Sequence, residues 1–112
     1  MEPTDAPHRV QLKRTRGWRM PPNTVKIDRS TRWGNPFSRQ MLEARGDHGC
    51  RLCQVVTFEY SLTEHARTLI RESLAGKNVA CWCALDQMCH GDILLAIANG
   101  HEPYLPSELA HG

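Results

Sequence analysis

No stretch of this 112-residue sequence stays apolar for long. The run Ile93-Leu94-Leu95-Ala96-Ile97-Ala98 falls far short of the roughly 20 residues that span a bilayer as a helix, so no membrane anchor is expected. The opening Met1-Glu2-Pro3-Thr4-Asp5-Ala6-Pro7 has neither the basic start nor the apolar stretch of a secretory signal, which sets an expectation of a cytoplasmic chain. An internal repeat is also missing, which argues against solenoids and arrays. So is an even set of cysteines. Five cannot all pair with one another, and a reducing compartment disfavours pairing, so metal ligation, catalysis or burial must account for them. Acid is nearly absent from one region: Arg9 to Arg32 holds eight Lys/Arg against Asp28 alone, net +7, while the remainder holds six basic and eleven acidic side chains, net −5. An anionic ligand is therefore expected for the basic region, against the plainer alternative of a solvated basic face.

Hydrophobic residues make up 40% and charged residues 23%, ordinary values for a folded chain, and the length fits one domain with one core. Residues 1–8 read as a disordered leader, 9–101 as a single α/β domain and 102–112 as an irregular tail rich in punctuation such as Pro103 and Pro106. Val10 to Trp18 alternates imperfectly and Thr24 to Asp28 cleanly, giving two strands. Ser30 to Phe37 is turn-rich. After the break at Gly46 to Gly49, Leu52, Val55, Val56 and Tyr60 follow helical spacing. A second helix starts at the Thr63 N-cap, carries Ala66, Leu69, Ile70 and Leu74, and stops at Gly76. Val79-Ala80-Cys81-Trp82-Cys83 reads as a buried strand inside the sheet, and Gly91 to Asn99 as a final helix. The order β, β, α, α, β, α implies a small single-domain α/β sandwich, a short sheet with about three helices.

Chemistry concentrates at the end of that pattern. Alternation along a strand puts Cys81 and Cys83 on one face. A five-residue turn then delivers Cys89-His90 to the start of the last helix, where unpaired N–H groups favour a thiolate. Cys81, Cys83, Cys89 and His90 thus supply the donor types of a Cys₃His zinc site within ten residues. Their spacing is not that of a C-x₂₋₄-C knuckle, which wraps a metal more readily, so burial of the strand thiols as small hydrophobes stays open. Cys89 as nucleophile with His90 as acid/base is the catalytic alternative, with Asp92 nearby. Cys50-Arg51-Leu52-Cys53 does have knuckle spacing; a mixed site with the later cysteines and two incidental helix-start thiols are both open, the second being the plainer reading. In the basic region, Arg14, Arg16, Arg19, Lys26, Arg29 and Arg32 alternate with Trp18 and Trp33, side chains suited to phosphates and flat rings. The turn Trp33-Gly34-Asn35-Pro36-Phe37 has a second reading as core, with Asn35 bonding the backbone.

Gly17-Trp18-Arg19-Met20-Pro21, Asn23-Thr24-Val25, Arg32-Trp33-Gly34-Asn35-Pro36-Phe37 and the segment Ala80 to Leu94 with its Cys-Trp-Cys and Cys-His pairs together resemble the DUF4326 family. The resemblance runs from about Arg9 to Gly100 and implies one fold, with Trp33 to Phe37, Cys81, Trp82, Cys83, Cys89, His90 and Asp92 as signature positions. The Cys50/Cys53 pair lies outside those motifs. Members are small phage and bacterial proteins of unassigned function, so the resemblance implies a phage-type or accessory role, in the host cytoplasm where a phage encodes it. The expected function is a Cys/His-centred pocket for a nucleotide-like or nucleic-acid ligand. Ligands of α/β sheets collect at the carboxyl ends of strands and at helix N-termini, where Cys83 and Cys89 fall. Arg29, Arg32, Trp33 and Asn35 would bind the ligand. The alternative is a non-catalytic, zinc-stabilised module binding nucleic acid or a host protein.

Overall fold

The computed structural model of the protein describes residues 6–100. Three short strands, β1 (Arg9–Gln11), β2 (Thr24–Lys26) and β3 (Asn78–Cys81), form a sheet in the order β1-β3-β2 with both pairings parallel. The last-read strand is therefore the central one. Because β3 must satisfy ladders on both sides and carry helices against its faces, it is buried at Val79, Ala80 and Cys81, which explains its unbroken apolar sequence. Residues 1–5 of the expected leader and the expected tail, 102–112, lie outside the described residues. His8, the last leader residue, is tied to β3: its N–H donates to Asn78 Oδ1 and its carbonyl accepts from the Val79 N–H, each at 3.1 Å.

Four helices complete the domain: α1 (Arg39–Ala44), α2 (Arg51–Ser61), α3 (Glu64–Leu74) and α4 (His90–Ala98). The short α1 has no counterpart in the sequence reading. Its local signal is the Ser38 N-cap, whose Oγ accepts from the Met41 N–H, and it buries only Leu42. Thr63 caps α3 as expected, accepting from the Ala66 N–H at 3.0 Å, and Ile70 and Leu74 face the core. The inward face of α2 differs from the expected stripe: Val55 and Phe58 are buried, whereas Leu52 is 44% and Tyr60 68% exposed. The reason is tertiary. Val55 and Phe58 pack into the core shared with α3 and α4, and Phe58 meets the His90 ring edge-on at 5.3 Å.

Helix α4 anchors everything else. It buries Ile93, Leu94 and Ile97 together with Val55, Phe58, Ile70 and Leu74. Each such side chain contributes about 1.5–3 kcal/mol, so α4 is held far more firmly than α1 with its single Leu42. A Cβ at Gly91 would stand 3.0 Å from Arg9 Cδ and Ile27 Cδ1, so a glycine there lets the amino end of α4 lie against the sheet. That end is where the chemistry sits. Among the described residues no helix is long and apolar enough to cross a membrane.

Candidate metal centre and its cavity

The sheet ends where its partners end. Leu12 N–H donates to the Cys81 carbonyl at 2.7 Å and Ile27 N–H to the Ala80 carbonyl at 2.8 Å, beyond which β3 has no neighbour to pair with. The chain then bends through Trp82 and Cys83. Strand alternation therefore does not carry Cys83 to its place; the bend does. It brings the Cys81, Cys83 and Cys89 sulfurs within 4.8 Å of one another, with Cys81 and Cys89 at 3.3 Å. The His90 ring lies beside this group and outside it. Its Nε2 is 2.9 Å from the Ile27 carbonyl, which can only accept, so Nε2 carries the proton and Nδ1 faces the Cys89 sulfur at 3.5 Å as an acceptor. Burial lowers the His90 pKa and keeps the ring neutral.

The three thiols do not ionise alike. Cys83 is pulled well below the usual thiol range by hydrogen bonds from Cys81 and Cys89 and by the Arg51 guanidinium, whose Nη1 is 3.6 Å from its sulfur. Cys81 and Cys89 are pushed up, chiefly because each shares its proton with a neighbouring sulfur. Three converging thiols are a soft donor set suited to zinc, copper(I) or an iron–sulfur centre. Sulfur separations of 3.3 Å and up to 4.8 Å bracket the roughly 3.8 Å that tetrahedral zinc–thiolate bonds of about 2.3 Å require. The residues fit such an ion.

Two arginines and a carboxylate fix the frame. Arg9, with a side chain 7% exposed, donates through Nη1 to the Ala84 carbonyl and through Nη2 to those of Leu85 and Gln87, at 3.2, 3.1 and 2.6 Å, and so staples the turn joining Cys83 to Cys89. Its Nε lies 3.2 Å from Asp92 Oδ1. The other Asp92 oxygen accepts the Cys89 N–H at 3.1 Å, so this acid caps α4 and points away from the sulfurs. Arg51 spans the opposite side, donating also to the Met88 carbonyl at 3.2 Å. Neither arginine had a local signal: their partners lie at least 32 positions away.

Above the sulfurs opens a cavity of about 350 Å³, walled by Arg29, Asn35, Arg51, Gln54, Trp82 and His90. The turn from Trp33 to Phe37 meets the Cys end of the sheet through Asn35. That side chain is 6% exposed, donates to the Gln54 carbonyl at 3.1 Å and accepts the Phe37 N–H at 2.8 Å, so its polar atoms brace the wall. Gly34 permits this approach, since a Cβ there would stand 2.6 Å from Arg29 Cα. Arg29 lines the cavity with its Nε donating to the Asn35 carbonyl. Arg32 and Trp33 stand elsewhere: the guanidinium lies over the indole at 5.0 Å, and both line a separate 150 Å³ hollow beside α3. Trp82 is 41% exposed at the rim, donating to Asp28 Oδ2 at 2.9 Å beneath the Arg14 guanidinium at 4.4 Å.

The family model for the domain of unknown function DUF4326 matches residues 10–100. The chain belongs to the DUF4326 family. No curated protein and no solved structure matches it. Within this DUF4326 domain the matched span contains all three sulfurs, the Trp33 to Phe37 turn, Arg29 and Arg51, whereas Arg9, which staples the Cys83–Cys89 turn, stands one residue before it.

Proposed function

We propose that this DUF4326 protein holds a zinc ion on Cys81, Cys83 and Cys89 and uses the cavity above it to bind a nucleotide-like or nucleic-acid ligand, working in the cytoplasm, or the host cytoplasm where a phage encodes it. One observation carries the reading: three sulfurs converge on the floor of a 350 Å³ cavity whose walls include two guanidiniums. Three protein ligands with an open fourth position is the arrangement of a reactive zinc site rather than a sealed structural one. Arg29 and Arg51 supply the cationic side that a phosphate needs, and the exposed Trp82 ring offers a stacking face. Without metal, Cys89 is the candidate nucleophile only once His90 Nδ1, 3.5 Å from its sulfur, takes its proton as base, while Asp92 orients Cys89 from the helix cap. Arg32 and Trp33 line a separate hollow beside α3 and lie outside this cavity.

Calorimetric titration of zinc-loaded protein with ATP and with a short single-stranded oligonucleotide tests the ligand. Binding weakened about tenfold by Arg51→Ala, the loss of one charge-assisted contact, is the expected result; no heat at millimolar ligand would remove the reading. A second reading, a non-catalytic zinc-stabilised module, draws on the burial of Cys81 and Cys89, each only 2% exposed. Chelation separates the two. A protein that loses its fold with its zinc is held together by the metal, and one that keeps its fold uses the metal for binding or chemistry.

A further inference from the structure

The remaining two cysteines form a unit of their own. Cys50 is the N-cap of α2, exposed, with its sulfur accepting the Cys53 N–H at 3.3 Å and lying 2.8 Å from the Cys53 sulfur. One turn of helix fixes this pair, so joining the sulfurs needs them only to close from 2.8 Å to about 2.05 Å. Exposure is graded along it: Cys50 is open to solvent and Cys53 half-buried behind it. A large reactant therefore reaches Cys50 first.

We propose that Cys50 and Cys53 are a redox-active dithiol that exchanges with disulfides, Cys50 attacking and Cys53 resolving. The Cys50 thiolate bonds to one sulfur of a low-molecular-weight or peptide disulfide, expelling the other sulfur as a thiolate that takes up a proton. Cys53 then loses its proton and attacks the Cys50 sulfur, forming the Cys50–Cys53 bond and releasing the second half of the reactant as a thiol. The protein gives up two electrons and two protons, and the disulfide gains both. Ionisation runs the same way: the hydrogen bond shared with the Cys53 sulfur and the Cys53 N–H lower the Cys50 pKa, while the hydrogen bond shared with Cys50 raises that of Cys53. Arg51, one of the two residues between them, reaches the Cys83 sulfur and the Met88 carbonyl and lines the cavity, so the dithiol adjoins its rim. The proposal does not depend on the zinc reading.

The test is exposure of the full chain to oxidised glutathione, with and without bound zinc, followed by acid quench, alkylation and peptide mass mapping. A Cys50–Cys53 disulfide in both samples is expected, with Cys53→Ser accumulating one glutathione on Cys50 and Cys50→Ser leaving Cys53 free. Both variants alter exposed or half-exposed positions, and their circular dichroism confirms the fold. Persistence of both thiols in wild type, or equal glutathione loading of Cys50 and Cys53 in the two variants, would overturn the proposal. Because the disulfide is expected regardless of zinc, its failure leaves the metal reading standing, and the converse also holds.

Discussion

Two sets of cysteines in one small domain are built for different work. Cys81 and Cys89 are 2% exposed, packed on the central strand and the best-anchored helix, and share protons with each other and with Cys83. Cys50 and Cys53 stand at the exposed start of a helix with only each other for partners among the sulfurs. Residue type is identical; surroundings decide the chemistry. Three converging sulfurs held from behind by core packing suit a metal, whereas two adjacent thiols open to solvent suit exchange. Arg51 lies between Cys50 and Cys53 in sequence, and its side chain touches the first set at Cys83.

That contrast can be broken at its frame. Arg9→Ala removes the staple on the Cys83–Cys89 turn, leaves three carbonyls without their donor and takes one partner from Asp92, and should cost about 3 kcal/mol by urea denaturation, the scale of losing one partner of a buried charge. A loss below about 1 kcal/mol, the level of exposed ion pairs, would mean that the turn stands without it. A smaller effect separates the cysteines directly. Cys81→Ser places a hydroxyl in the core and should destabilise by about 2 kcal/mol, while Cys53→Ser should stay within about 0.5 kcal/mol. Equal losses would erase the distinction between the sets.

The smallest effect concerns the rim. Hydrogen bonds from Ser30 and Trp82 hold the Asp28 carboxyl below its ordinary 3.8. A depressed folded value means stability present above 3.8 and lost as pH falls through the lower folded value. The Trp82 indole N–H resonance, assigned with Trp82→Phe, should therefore shift with a midpoint below pH 3.8. A midpoint at or above 3.8 would show that the Asp28–Trp82 bond does not form.

The same contrast explains what could be read from sequence. The central strand and α4 announced themselves because full burial demands unbroken apolar residues, and the gathering of Cys81, Cys83 and Cys89 followed from a strand feeding a helix start. The route taken by Cys83 did not, since the bend depends on where β1 and β2 stop. Helix α1 buries one side chain and so has almost no periodicity to read. Arg9 belongs to the basic region by sequence and is an internal staple in the fold; Asn35 spends its polar atoms on the backbone, and Asp92 divides its oxygens between the Cys89 N–H and Arg9. Such roles are contacts between distant residues and leave no local pattern. Arg32 and Trp33, adjacent in sequence to the cavity wall, line the separate hollow beside α3, a placement that no local pattern of the sequence marks.

X-ray absorption at the zinc edge of protein loaded with one equivalent of zinc measures the metal's neighbours directly. Three sulfurs at about 2.3 Å with one lighter atom completing the shell is the predicted result. A shell of nitrogen and oxygen alone, or four sulfurs drawing in Cys50 or Cys53, would contradict a triad that works apart from the dithiol.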